Sequence, residues 1–431
     1  RMTRPERAVL ALLCLFAVKF LFSTAAHFLP VLQAVDALGS GRHPVDVWLL
    51  LLCCTAVLGT FCLYRRALRA AGTRLTRFDG VLLAVCCLLS AAFYLRAMVG
   101  RQSLYLWDNA TYYNLQVRLE SNFADGVFMG VGSTIYKTWF NDYAPFVINI
   151  LLEPFFMFTA RTANTFAILC ALLIPSLVYF SALVFLLVLR RQLAPRAPRL
   201  FTVLLYRGMP DLRGVAFAFM LMALLTGYDF DHPAPARLVS LTTFTGLLIL
   251  TRRSYMFTVV TIFLFYGVRA LALALRGRNR GALVRFVQFA VVSVLCVGLP
   301  LAPMFWRIVR ADYSDRYATY QTGGFLSELT NQRVYLGYFL LAVLLIGVLY
   351  GLYKRNTRFL SVLSLAGAVL TVALVTRVQN MDDHQSLAVA PFYLLGFFLC
   401  ALAVADLRPR LLRAVPAAAL GGMCVLNFGA C

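Results

Sequence analysis

Long apolar stretches separated by short polar or basic segments dominate the chain. In windows of roughly 20 residues, they fall at residues 8–30, 46–64, 80–98, 144–160, 165–189, 214–228, 238–250, 255–275, 284–304, 334–353, 357–376, 387–405 and 411–428. An apolar helix of about 20 residues crosses the hydrocarbon layer of a bilayer. The pattern therefore predicts an all-α polytopic membrane protein with about 11–13 transmembrane helices.

The composition supports the same class. Hydrophobic residues make up 61% of the 431 positions and charged residues only 13%. A soluble domain cannot cover so much apolar surface with so few charges. A formal net charge of +22 would suggest nucleic acid in a soluble protein, but here most basic residues stand in short clusters between apolar stretches. We therefore expect no nucleic-acid binding.

The basic clusters predict the orientation. Those at 1–7, 65–77, 276–285, 354–358 and 408–413 fall on one side if the segments alternate. Because Lys and Arg accumulate on the cytoplasmic side, the N-terminus is expected to be cytoplasmic. Three loops, 99–143, 305–333 and 377–386, then lie on the outer face.

The middle of the chain does not fit a strict alternation of crossing segments. Segments 214–228 and 238–250 are short, and the arginines within 190–199 fall on the outer side if every earlier segment crosses. Either residues 200–207 belong to a broken helix, or one segment near 144–189 lies in the interface.

No loop has room for a folded soluble domain, so residues 1–431 are expected to form one transmembrane domain. Its parts are two extra N-terminal spans within 1–78, a core within 79–405 and a last helix within 406–431. The cysteines do not stand at metal-ligand spacing with histidine, so the residues predict no metal site.

The first outer loop contains a candidate for chemistry. Asp108 precedes an amphipathic stretch in which Tyr112, Leu115 and Leu119 share one helical face. This pattern predicts a helix lying in the interface with Asp108 at its N-cap. Capping alone accounts for Asp108 about as well as a second role, in which a carboxylate at the water–lipid boundary acts as a general base.

Three further acidic or basic positions have competing explanations. Asp142 comes just before Pro145 at the entry to an apolar stretch, where a structural N-cap is the favoured interpretation. Arg207 and Asp211 stand in one compact turn, where an internal ion pair is as plausible as a phosphate-contacting arginine.

Arg252 and Arg253 lie between two apolar segments with no long loop around them. A cytoplasmic anchor is the usual explanation for such a pair. Counting back from the C-terminal half instead places it on the outer face, where a bound lipid phosphate would account for it.

The two later outer loops are rich in polar groups. Tyr317 stands among several tyrosines, which suit both the interface belt and stacking on sugars. Arg377, Gln379 and His384 belong to a loop with more polar side chains than a turn requires, so we favour a functional role for it.

Together these motifs resemble the GT-C superfamily of integral-membrane glycosyltransferases. The resemblance rests on five short segments spread over residues 80–400: WDNATYY (107–113), DYAP (142–145), RGMPD (207–211), GLLILTRR (246–253) and RVQNMDDH (377–384). It implies a GT-C-like helical bundle with the interfacial helix in the first large outer loop.

The resemblance also implies a reaction. A sugar would pass from a polyprenyl-phosphate carrier to a hydroxyl of a glycan, lipid or protein at the outer face, with inversion. Asp108 would be the general base, and cationic side chains would stabilise the leaving phosphate. Those cations are Arg252, Arg253, Arg207 and Lys137.

The expected substrate site has further members. Tyr317, Gln379 and His384 would line the sugar or acceptor site, and Tyr112, Asp142, Asp211 and Arg377 would complete the surroundings. No definite cofactor is implied; a divalent cation stays open, because Asn109 stands where many relatives have a second carboxylate.

The resemblance and the composition also bear on location. The bias towards arginine and alanine is typical of a GC-rich bacterial genome, so we expect the inner membrane, with the active site facing the periplasm and membrane lipids as neighbours.

Two other functions stay open. A transporter or flippase of a lipid-linked or anionic substrate would place charges near the middle of its spans, at broken helices. A polysaccharide polymerase or ligase would carry its arginines and histidine in one large late outer loop.

Overall fold

A computed structural model describes residues 3–39, 47–70, 75–100, 108–140, 146–193, 212–226, 235–277, 280–310, 324–378, 381 and 385–407. Within these ranges the regular elements are all helical. The predicted last span at 411–428 lies outside the described residues.

The first half of the described chain contains eight helices. They are α1 (Arg4–Phe28), α2 (Pro30–Gly39), α3 (Val47–Ala70), α4 (Arg77–Gly100), α5 (Asp108–Ala124), α6 (Val127–Phe140), α7 (Phe146–Phe156) and α8 (Ala163–Leu193).

The second half contains eight more helices and two short turns of other helical types. The helices are α9 (Leu212–Thr226), α10 (Pro235–Thr251), α11 (Ser254–Leu275), α12 (Arg280–Ser293), α13 (Ala302–Arg310), α14 (Phe325–Tyr353), α15 (Arg358–Val375) and α16 (Ala390–Asp406). A π-helical turn (Val294–Gly298) follows α12, and a 3-10 turn (Ser386–Ala388) precedes α16.

Seven helices within the described ranges are long and apolar enough to cross a membrane. These spans are Arg4–Phe28, Val47–Arg69, Ala163–Leu189, Ser254–Leu275, Arg280–Gly298, Phe325–Tyr353 and Arg358–Val375. The shorter helices α9, α10 and α16 are also apolar. The predicted class of all-α membrane protein is thus confirmed.

Helix α9 forms the centre of the bundle. Its residues 215–225 are all buried, and it packs against α8 and α10. Because protein covers residues 215–225 on all sides, the short segment predicted at 214–228 is a central helix instead of a lipid-facing one.

Helices α11 and α15 run antiparallel. The hydroxyls of Thr261 and Thr371 are 2.9 Å apart, and further along the pair the rings of Tyr266 and Phe359 lie 5.2 Å apart. Helix α11 therefore ends where α15 begins.

The end of α1 and the end of α10 lie on the same side of the bundle. Helix α10 runs parallel to α12, because Thr242 lies 3.5 Å from Ser293 and α10 also contacts the π-helical turn that follows. Helix α13 comes next and contacts α6, whose Phe128 ring packs 4.8 Å from His27 near the end of α1. We call this side the distal end.

Basic residues gather at the opposite side, which we call the basic end. Residues 276–277 follow α11 there, residues 280–285 begin α12, and residues 354–358 connect α14 to the first residue of α15. Glu6 and Arg66 form an ion pair of 2.8 Å where α1 begins and α3 ends. The described members of the basic clusters thus share one end, as the sequence predicts.

Helix α7 explains the irregular count in the middle of the chain. It has 11 residues, about 17 Å at 1.5 Å per residue, which is too short to cross a bilayer. Helix α8 begins beside α5, where Arg161 and Glu120 lie 3.0 Å apart, and later Ser181 bonds to Tyr64 of α3 at 2.6 Å. Helix α8 therefore runs from the distal to the basic end, which supports the alternative of a segment near 144–189 that does not cross.

Two predicted outer loops contain helices. Loop 99–143 holds α5 and α6. Loop 305–333 is helical up to Arg310 in α13 and again from Phe325 in α14. The apolar run at 334–353 therefore marks only the later part of α14, because hydropathy does not detect its polar first turns.

Candidate functional site

Arg252 and Arg253 form the turn between α10 and α11 at the distal end. Helix α10 ends at Thr251 and α11 begins at Ser254, so the two arginines are the whole connection. Arg252 is only 6% exposed and Arg253 is partly exposed, and both residues have interaction partners. A buried guanidinium is costly without compensation, so the pair is not an ordinary surface anchor.

The residues after the arginines are fixed by close packing. The ring of Tyr255 lies against Gly214 of α9, where a β-carbon would come within 2.0 Å of the ring. Only glycine leaves room for this contact. The start of α11 is therefore held against the central helix.

Residues 377–378, 381 and 385–388, which we call the late polar loop, reach the same region. Thr258, one turn into α11, donates its hydroxyl to the carbonyl of Ala388 at 2.9 Å. The 3-10 turn that holds Ala388 also contacts α9 and α16. Two segments 130 residues apart in the sequence are thus joined at the distal end.

The first turns of α14 complete this region. Gln332 donates its amide to the Ser386 hydroxyl and accepts from the Tyr393 hydroxyl, each at 2.9 Å. Glu328 and Gln332 are both buried, at 1% and 3% exposure. We call Arg252, Arg253, Thr258, Gln332, Ser386 and Tyr393 the distal polar site.

A backbone break sets the direction of these first turns. Gly337 has φ +69° within α14, a left-handed conformation that side chains disfavour. Helix α14 therefore changes direction there, and the part before Gly337 reaches the late loop, where Tyr335 donates to the carbonyl of Met381 at 3.1 Å.

The helix predicted to follow Asp108 is present as α5. It begins at Asp108, and its buried face includes Tyr112 and Leu119, at 3% and 4% exposure. The backbone of Asp108 is described, while its side chain lies outside the description. The position of Asp108 at the start of the helix agrees with the expected cap position to within one residue.

Beside α5, an acid–amide cluster joins α5 to α7. Its members are Gln116, Glu120, Asn149 and Glu153. Gln116 donates to the carbonyl of Asn149 at 3.0 Å and to the Glu153 carboxylate. Burial raises the pKa of Glu153 to about 9, and the neighbouring Glu120 carboxyl contributes to the rise.

Lys137 and Arg377 occupy different places. Lys137 of α6 donates to Asn122 of α5 at 2.9 Å, and burial, with Arg118 nearby, lowers the pKa of Lys137. Arg377 is exposed, two residues beyond α15. The contacts of Lys137 place it beside α5 and not in the distal polar site.

Six predicted site residues lie outside the described residues. They are Asp142, Arg207, Asp211, Tyr317, Gln379 and His384.

The chain matches no protein family, curated protein or solved structure. Its function is therefore inferred from the geometry of its own side chains.

Several buried polar residues escaped the sequence analysis. Gln116, Asn149, Glu153, Glu328 and Gln332 are each at most 3% exposed, and none was singled out. Asn149 and Glu153 gave a detectable signal, because two polar residues four apart interrupt the apolar stretch 144–160 on one helical face. Among the described residues, no group of three or more His, Cys, Asp or Glu side chains is arranged to hold a metal.

Proposed function

We propose that this chain is a membrane glycosyltransferase of GT-C type, which transfers a sugar from a polyprenyl-phosphate carrier to a hydroxyl acceptor. The observation that carries the proposal is the distal polar site. It combines two adjacent arginines, one of them buried, with hydroxyl and amide groups from α11, α14 and the late loop. Guanidinium groups suit a phosphate, and hydroxyl and amide groups suit a sugar.

The proposed reaction combines the arginines of this site with Asp108 at the start of α5. The acceptor oxygen attacks the anomeric carbon and gives its proton to the Asp108 carboxylate. The bond between that carbon and the phosphate oxygen breaks, and the polyprenyl phosphate leaves with the electron pair. Arg252 and Arg253 stabilise the charge that develops on the phosphate. A positioned base supplies about two to four orders of magnitude in rate.

The proposal includes an orientation. With the basic end in the cytoplasm, the distal polar site faces the outer side, and α5 with α13 lies near the membrane surface. Helix α13 supports this placement, since Trp306 and Val309 are 61% and 80% exposed while Met304 and Ile308 are buried.

Co-purifying lipid tests the proposal. The wild-type protein and the Arg252→Ala/Arg253→Ala variant are purified in mild detergent and their bound lipids identified by mass spectrometry. The matched control is Arg276→Ala/Arg280→Ala, which removes two exposed arginines from the basic end. We expect a polyprenyl phosphate or phosphosugar in the wild type and the control, and its loss from the first variant.

A transporter is the second candidate, supported by a specific observation. Lys19 lies within the span of α1 and is 8% exposed, where it pairs with Asp36 of α2. Ionisable groups within a span are typical of transport pathways. If all three samples contain only ordinary phospholipid, Arg252 and Arg253 are structural and the transporter is favoured.

A further inference from the structure

The acid–amide cluster has a regular geometry. Gln116 and Glu120 are four residues apart on α5, and Asn149 and Glu153 are four residues apart on α7. Residues with this spacing share one face of a helix. Tyr112 meets Asn149, and one turn later Gln116 meets Glu153, so the helices run parallel with these two faces together.

The amide groups are oriented by their donors. Gln116 uses its nitrogen on the carbonyl of Asn149 and on Glu153, and Asn149 uses its nitrogen on the carbonyl of Tyr112 at 3.3 Å. The nitrogens therefore point at acceptors, which fixes the direction of both amide oxygens.

Four buried oxygens in this cluster have no hydrogen-bond partner. They are Oε1 of Gln116, Oε1 of Glu120, Oδ1 of Asn149 and Oε1 of Glu153. Buried polar atoms are nearly always satisfied in proteins. The carboxyls of Glu120 and Glu153 are close enough to share one proton, which leaves the two amide oxygens in need of a positively polarised partner.

The charges indicate which partner fits. Arg161 balances the Glu120 carboxylate at 3.0 Å, so ionisation of Glu153 would supply the negative charge that a bound cation needs. Carboxylate and amide oxygens are the ligands of hard cations, in contrast to the thiolates and imidazoles that hold softer metals.

We propose that Gln116, Glu120, Asn149 and Glu153 bind a hard metal cation between α5 and α7. Half of the ligands are amides, so this site is compatible with the finding that no three His, Cys, Asp or Glu side chains of the described residues are arranged to hold a metal. The cation would clamp α5, the helix that begins at Asp108, onto the bundle. This site is independent of the arginines and of the proposed sugar transfer.

Thermal unfolding of the full chain in detergent tests the cation site. The protein is first dialysed into choline chloride with a chelator, and then Na⁺, Mg²⁺ or Ca²⁺ is added at constant ionic strength without added lipid. We expect at least one of these cations to raise the unfolding midpoint by about 3 °C or more. Glu153→Gln should abolish the rise, while Asp406→Asn, which removes an exposed carboxylate at the basic end, should keep it.

Asn149→Asp provides a second test that does not depend on the stability of Glu153→Gln. Because Asp and Asn are similar in size, the substitution adds a carboxylate ligand without changing the packing. The cation concentration that gives half of the rise in the unfolding midpoint should therefore fall about tenfold or more. The cation site is refuted if none of the three ions shifts the wild-type midpoint, or if Asn149→Asp leaves the half-effect concentration unchanged. Either result leaves the lipid experiment on Arg252 and Arg253 unaffected.

Discussion

The amide nitrogen of Gln332 donates to the hydroxyl of Ser386 at 2.9 Å. This bond connects the first turns of α14 with the late polar loop, and Tyr393 of α16 bonds to the other side of the same amide. One side chain therefore organises three elements around the proposed substrate site.

Gln332→Leu should loosen this region. The substitution removes two hydrogen bonds and leaves the Tyr393 hydroxyl without its acceptor, in a position where Gln332 is 3% exposed. We expect a loss of about 1–3 kcal/mol in unfolding free energy. Hydrogen exchange of the amides in residues 385–389 should also become faster.

The matched control for Gln332 is Thr330→Val. Thr330 is exposed on the same helix and donates its hydroxyl to the carbonyl of Leu326, one turn earlier in that helix. Its replacement should leave exchange in the late loop at the wild-type rate. Equal acceleration by both variants would show that Gln332 has no special role.

Gly214→Ala should disturb the arginine turn from the side of α9. The new methyl group would overlap the Tyr255 ring, which must then move together with the start of α11. We expect a loss of about 1–3 kcal/mol in stability and less bound lipid phosphate per protein, measured by mass spectrometry. Gly80→Ala is the control, because a β-carbon there meets nothing within 4 Å; an equal loss of lipid in both variants would contradict the argument.

The sequence predicted the helices better than the site. Apolar length located α1, α3, α8, α11 and α15, because burial in lipid requires long apolar stretches. Apolar length does not single out Glu153 and Asn149, whose signal is their spacing of four residues inside an apolar stretch, and their partners on α5 are evident only in the fold.

Direction changes were also beyond the reach of hydropathy. The break at Gly337 and the short length of α7 depend on how neighbouring helices pack, and a window average does not record them. The arginine pair became a candidate because a count back from the C-terminal half places it on the outer face, where the positive-inside rule does not expect arginines.

The Lys19–Asp36 ion pair should be important for stability, because both side chains are largely buried, at 9% and 15% exposure. Lys19→Met leaves the Asp36 carboxylate without its cation, and we expect a loss of about 3–5 kcal/mol. The double variant Lys19→Met/Asp36→Asn also removes the negative charge, and the new amide oxygen still accepts a hydrogen bond from the Ser23 hydroxyl. Most of the lost unfolding free energy should therefore be recovered.

The ion pair of Lys354 and Asp406 is the exposed control for the buried pair. Its side chains are 47% and 55% exposed. Lys354→Met should change stability by only about 0–1 kcal/mol. Unfolding midpoints in detergent provide the measurement. A Lys19→Met variant as stable as Lys354→Met would show that the buried pair is dispensable.

The central claim is that Asp108 acts as the base in sugar transfer. Asp108→Asn keeps the size of the side chain but cannot accept the proton, whereas Asp125→Asn changes an exposed acid just beyond the other end of α5. The measurement is the rate at which protein loaded with its co-purified carrier converts polyprenyl phosphosugar to polyprenyl phosphate in the presence of membrane extract as acceptor. We predict that Asp108→Asn still binds the carrier but converts it about 100- to 10,000-fold more slowly, while Asp125→Asn is unchanged. Conversion by Asp108→Asn at the wild-type rate would contradict the account.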